Sequence, residues 1–131
     1  MNYLQTEKLV REKFNLNNNT KAVKATLPIG NEGATHEFDL FEKGRIVGGI
    51  STSPWFNKTG SNNTGGQDRA AAELFWLSLW NGAEKRMHIL TDNEMAIRLY
   101  KRFRGVPLIA EIEIIHFDLN RSLFTSIGTL G

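Results

Sequence analysis

The chain has 131 residues, 40% hydrophobic and 23% charged, with 16 lysines and arginines against 14 acids. That length suits one domain able to bury a core unaided, and the absence of cysteine excludes a disulfide framework, a thiolate metal site and a thiol nucleophile. A net charge of +2 permits a polyanionic partner without arguing for one, so a nucleic-acid reading has to rest on local clustering.

The first residues, "MNYLQTEKLVREKF", hold no apolar segment of the secretory kind, and no apolar run reaches membrane-spanning length. A cytoplasmic chain with no membrane partner is therefore expected. Residues 5–14, "QTEKLVREKF", set Leu9, Val10 and Phe14 on a polar background. This predicts a short amphipathic helix with Thr6 as N-cap, ended by "NLNNNT". "KAVKATLPIG" reads as a strand broken by Pro28 and Gly30. "THEFDLF" and "RIVGGIST" read as two further strands joined by a Lys43-Gly44 turn. Residues 53–66, "SPWFNKTGSNNTGG", form a long polar loop, and loops of this length in small domains are often functional.

"QDRAAAELFWLSLWNG" predicts a helix that is apolar on most sides and hence central and buried, with Gly82 as its stop. "KRMHILTD" is an apolar strand. "NEMAIRLYKRF" is an amphipathic helix capped by Asp92 or Asn93, and "AEIEIIHFDL" alternates as a last strand. The tail "NRSLFTSIGTLG" favours neither period. Neither repeats nor a linker divide the chain, so residues 1–131 are read as a single domain. The order α-β-β-β-α-β-α-β predicts an α/β fold: one mixed sheet with an antiparallel meander, a crossover helix and helices on both faces.

Candidate chemistry gathers on the second strand and after it. Side chains two apart on a strand share a face, so Glu37 and Asp39 point the same way, as do Val47, Gly49 and Ser51. Phe38 and Leu40 would supply one core face, and Phe41 suggests that the other is also covered. Acids on a covered face need a reason. Arg69 and Glu73 lie one turn apart, a spacing that also suits a helix-surface ion pair. In the loop, Trp55 and Phe56 stand beside Lys58, with Arg69 just beyond. Aromatics among cations suit stacking on bases and neutralising phosphates, and equally suit pinning a loop to a core. Arg98, Lys101, Arg102 and Arg104 crowd a helix end, where they complement the dipole or contact phosphate. His36, His88 and His116 have no shared ligand spacing and are read as structural. Ser51, Thr52 and Ser53 lack a nucleophile elbow.

The element order and the hairpin carrying Asp39 resemble the PD-(D/E)xK nuclease-like superfamily, which includes restriction endonucleases, Holliday-junction resolvases and repair nucleases. The resemblance spans roughly residues 5–118. It implies a restriction-endonuclease-like fold and a Mg²⁺ or Mn²⁺ site built from the second-strand acid and a Glu-x-Lys on the third strand. Carboxylates hold the hard cation, which polarises phosphate and lowers the pKa of water, and the lysine stabilises the added charge. Aligned on Asp39, the glutamate position falls on Gly49 and the lysine position on Ser51. Some members carry the glutamate on the next helix, where this chain has Glu73. The resemblance then implies Glu37, Asp39 and Glu73 as metal ligands, with Lys58 or Arg69 as the cation. Trp55, Lys58, Arg69, Lys101 and Arg102 would contact nucleic acid. Glu7 and Glu12 stand on the first helix, where resolvase-like members have a metal-contacting glutamate. The alternative is a catalytically inactive module acting in assembly, with "SLFTSIGTL" burying in a homodimer.

Overall fold

The computed structural model describes residues 1–131. In chain order the elements are α1 (Tyr3–Asn18), β1 (Val23–Pro28), β2 (Thr35–Glu42), β3 (Ile46–Ser51), α2 (Thr64–Leu79), β4 (Lys85–Leu90), α3 (Asn93–Phe103), β5 (Ile112–Asp118) and β6 (Leu123–Leu130). The six strands form one sheet in the order of the chain. β1, β2 and β3 are an antiparallel meander, β4 and β5 run parallel to β3, and β6 turns back antiparallel. This is the expected α/β architecture. The sequence tail that favoured neither period is β6, which closes the far edge. No helix is long and apolar enough to cross a membrane.

Two apolar clusters lie on the two faces of the sheet. α1 contributes Val10 and Phe14 to one, against Leu40, Ile50, Ile89 and Phe117. α2 and α3 contribute Ala70, Leu74, Met95 and Leu99 to the other, against Phe38, Val47 and Ile114. α2 buries only one stripe, since Phe75 is 58% exposed and Leu79 37%. The expected wholly buried helix is thus a face-covering one. α1 starts at Asn2 rather than Thr6. Asn2 and Gln5 exchange reciprocal backbone–side-chain hydrogen bonds of 2.9 Å, a capping box that fixes the first turn. The asparagine run, expected to break the helix, instead completes it, and Asn19 takes the left-handed conformation that ends it.

The register shifts at two places, between β1 and β2 and between β5 and β6, where Ile114 faces Gly128 and Ile115 faces Ser126. In the β1–β2 register Val23 faces Phe41 and Ala25 faces Phe38, so Lys24 lies opposite both Asp39 and Leu40. This is a β-bulge, an extra residue that bends a strand and re-aims its side chains. Phe38 and Leu40, expected on one face, consequently enter opposite clusters. Phe41 packs on the Phe38 side, with its ring 5.8 Å from that of Trp80.

Candidate active site between β2, β3 and α2

Asp39 occupies the bulge, where β2 and β3 part. The two strands pair at Glu42–Ile46, Phe41–Val47 and Leu40–Gly48, and the ladder stops there. Past that point the N–H of Ile50 has no β2 carbonyl to meet, and it donates to Oδ2 of Asp39 at 2.8 Å. Arg11 on α1 donates to the Asp39 carbonyl at 3.3 Å, which ties the bulge to the helix. Burial is the main force raising the Asp39 carboxyl from 3.8 to about 7. The Ile50 N–H opposes it, the charges of Glu7 and Glu73 reinforce it, and Lys24 offsets part of it.

Glu73 descends from α2 onto the same place. A Cβ built on Gly49 would lie 2.5 Å from its Cγ and 2.6 Å from Oε1. The glutamate therefore fills the space that a side chain at position 49 would need, and glycine is what admits it. Its Oε2 pairs with Nε2 of His36 at 2.9 Å, and His36 stacks on Trp76 with centroids 4.7 Å apart. Oε1 is buried with no hydrogen-bond partner. Burial pushes the Glu73 carboxyl upward, against the pull of His36.

Asp39 and Glu73 open onto a cleft of about 520 Å³, walled also by Tyr3, Glu7, Ser51 and Arg69. The cleft lies beyond the carboxyl end of β3, where open α/β sheets commonly bind ligands. Glu7 is held by Lys24 at 3.3 Å. Ser51 at the end of β3 is joined through Oγ to Nε2 of His88 at 2.6 Å. His88 is fully buried on β4, which lowers its imidazole to about 3, so it is neutral.

The remaining sequence candidates lie off this wall. Glu37 shares an ion pair of 3.7 Å with Lys24 and its side chain is 57% exposed. Lys58 is exposed in the loop between the bridged residues Phe56 and Asn62. Of the two possible cations, Arg69 is the one that reaches the cleft. Trp55 is held by its N–H to Asp92 at 3.0 Å, and the Arg98 guanidinium covers the Trp55 and Phe56 rings at 5.6 and 5.2 Å. Lys101 and Arg102 are exposed on the last turn of α3. Glu12 faces Lys8 on the surface of α1. Sequence reasoning passed over His36, Lys24 and His88 as site residues. The signal for His88 was a lone imidazole in an otherwise apolar strand, which needs a polar partner.

For a divalent cation the residues supply carboxylates but not a closed cage, since no three His, Asp or Glu side chains converge on one point. The unpartnered Oε1 of Glu73 and the desolvated carboxyl of Asp39 suit a hard cation that keeps part of its shell as water. No protein-family model, curated protein or solved structure matches the chain.

Proposed function

We propose that the chain is a PD-(D/E)xK-like nuclease, dependent on Mg²⁺ or Mn²⁺, in which α2 supplies the carboxylate that the resemblance expects from β3. The observation that carries this is Glu73 lying in the side-chain space of Gly49, beside Asp39 at the parting of β2 and β3. Asp39 and Glu73 would hold the cation. When bound, it would neutralise phosphate charge and lower the pKa of an attached water. The chain's own groups do the rest. Arg69 offers a guanidinium to a phosphate at the cleft wall. Arg11 holds the Asp39 backbone carbonyl, and the Ile50 N–H holds its carboxylate. His36 orients Glu73 so that only Oε1 is left for a ligand. Nucleic acid is the proposed partner and the cytoplasm the proposed location.

The test is cleavage of labelled single-stranded and duplex DNA in Mn²⁺. Asp39→Ala and Glu73→Ala should each lower cutting by about a hundredfold or more, and both should weaken Mn²⁺ binding in calorimetry. Glu73→Ala cutting at the wild-type rate defeats the proposal.

A second reading, an inactive nuclease-fold module that assembles as a homodimer, is favoured by β6. Its sequence "LFTSIGTL" has no charge and no proline, the usual protections of an edge strand. It predicts a dimer in sedimentation that Thr125→Lys converts to monomer, with Mn²⁺ binding absent in both proteins.

A further inference from the structure

The Ser51–His88 pair has a direction that can be worked out. A neutral imidazole carries one N–H and one bare nitrogen. Nε2 of His88 bonds Oγ of Ser51 at 2.6 Å, while Nδ1 is buried and has no partner. Were the proton on Nδ1, the core would hold an orphaned N–H. Buried donors without partners are rarer than unfilled acceptor lone pairs. The proton therefore sits on Nε2, and Ser51 accepts.

That assignment decides what Ser51 can do. Its hydroxyl has one hydrogen, and accepting from His88 leaves this hydrogen unspent on the protein side. Ser51 lines the cleft beside Asp39, Arg69 and Glu73, so the hydrogen is available to whatever enters. Gly49, two residues earlier on the same strand face, is covered by Glu73. Ser51 is thus the first β3 side chain on that face to meet the opening.

We propose that Ser51 is the neutral hydrogen-bond donor of the cleft to a non-bridging oxygen of a nucleic-acid phosphodiester, and that His88 is the positioning residue that keeps the hydroxyl turned outward. This rests on the phosphodiester reading of the cleft and adds the group that recognises the diester. A hydroxyl suits that task beside two carboxylates. It donates to a phosphate oxygen without forming an ion pair that would draw Asp39 or Glu73 away from a cation. Arg69 supplies the formal charge and Ser51 the directed bond.

Two measurements test it. Long-range proton–nitrogen correlation of the His88 ring in the wild-type protein reads which nitrogen carries the proton, and needs neither ligand nor activity. Protonated Nε2 with bare Nδ1 is expected, whereas a proton on Nδ1 overturns the proposal, because the hydroxyl is then spent on the imidazole. The second is binding of a short single-stranded oligonucleotide in Ca²⁺, used to measure affinity without turnover. Ser51→Ala should weaken binding about tenfold, and Ser51→Thr should stay within about twofold of wild type. His88→Gln, whose amide N–H can replace Nε2–H, should retain binding, while His88→Leu should lose it to the extent of Ser51→Ala. Equal binding by wild type and Ser51→Ala overturns the assignment, as does a wild-type protein that binds no oligonucleotide. Mn²⁺ calorimetry separates the two proposals. If Asp39→Ala leaves metal binding unchanged while Ser51→Ala still weakens the oligonucleotide, the donor stands and the metal-dependent nuclease falls.

Discussion

Asp39 links stability to protonation at the scale of a single residue. The folded chain keeps its proton up to about pH 7, whereas an unfolded chain releases it near the ordinary 3.8. Between those values the folded state binds the extra proton, so this contribution is full below about pH 4 and fades as pH rises through 7. Asp39→Asn keeps an oxygen for the Ile50 N–H and carries no charge. It should be more stable than wild type at pH 8, by about 2 to 4 kcal/mol, and equal to it at pH 4. Urea denaturation at the two pH values checks this. Mn²⁺ should narrow the gap at pH 8, because only the ionised carboxylate ligates. Position 49 makes a second residue-scale prediction. Gly49→Ala places a methyl 2.5 Å from Cγ of Glu73 and should cost about 1 to 3 kcal/mol. In the Glu73→Ala background most of that cost should vanish, a non-additivity that a double-mutant cycle measures directly.

Among the elements, the loop from Ser53 to Asn63 is tied to the start of α3. Oδ2 of Asp92 accepts from Met95 N–H, capping the helix, and from Trp55 N–H in the loop, both at 3.0 Å. Gln67 in α2 donates to the Trp55 carbonyl at 2.9 Å, so the loop is clasped from both helices. Asp92→Ala should therefore cost about 1 to 2 kcal/mol as a lost cap and also raise amide exchange in residues 54–63 well above that of the sheet. Exchange confined to α3 would show that the loop holds without Asp92. The cap itself was legible in the sequence, because Asp before an amphipathic run has a known job. Its second bond, to a residue 37 positions earlier, was not, since nothing local encodes it. The bulge at Asp39 was hidden for a similar reason. "HEFDLFE" alternates well enough to read as a regular strand, and only pairing with β1 reveals that Lys24 faces two residues.

For the molecule as a whole, element order as far as β5 and the mixed sheet followed from periodicity and turn residues, whereas Asp39 as the acid of the hairpin rests on the resemblance alone. β6 escaped notice because its alternation is weak and its partner, β5, supplies the pairing. Charge is spread rather than massed. Arg98 rests on two aromatic rings, Arg69 lies at the cleft, and Lys58 stands free on the loop. If a polyanion spans these points, affinity for an oligonucleotide should fall steeply between 50 and 200 mM salt, as expected where several phosphates are neutralised. Lys58→Ala should lower the slope of log affinity against log salt by about one. An unchanged slope would place the bound strand away from the loop.

Gly49 and Glu73 have a consequence for how such chains diverge. One carboxylate occupies one small volume, but two backbones border it, so a descendant could supply the acid from either side. Gly49→Glu alone overfills the volume, and Glu73→Ala alone empties it. Made together, the two changes would exchange the helix for the strand as the donor, with the acid still in the volume beside Asp39. The two arrangements would then share the shape of the crevice and differ only in which stretch of chain fills it.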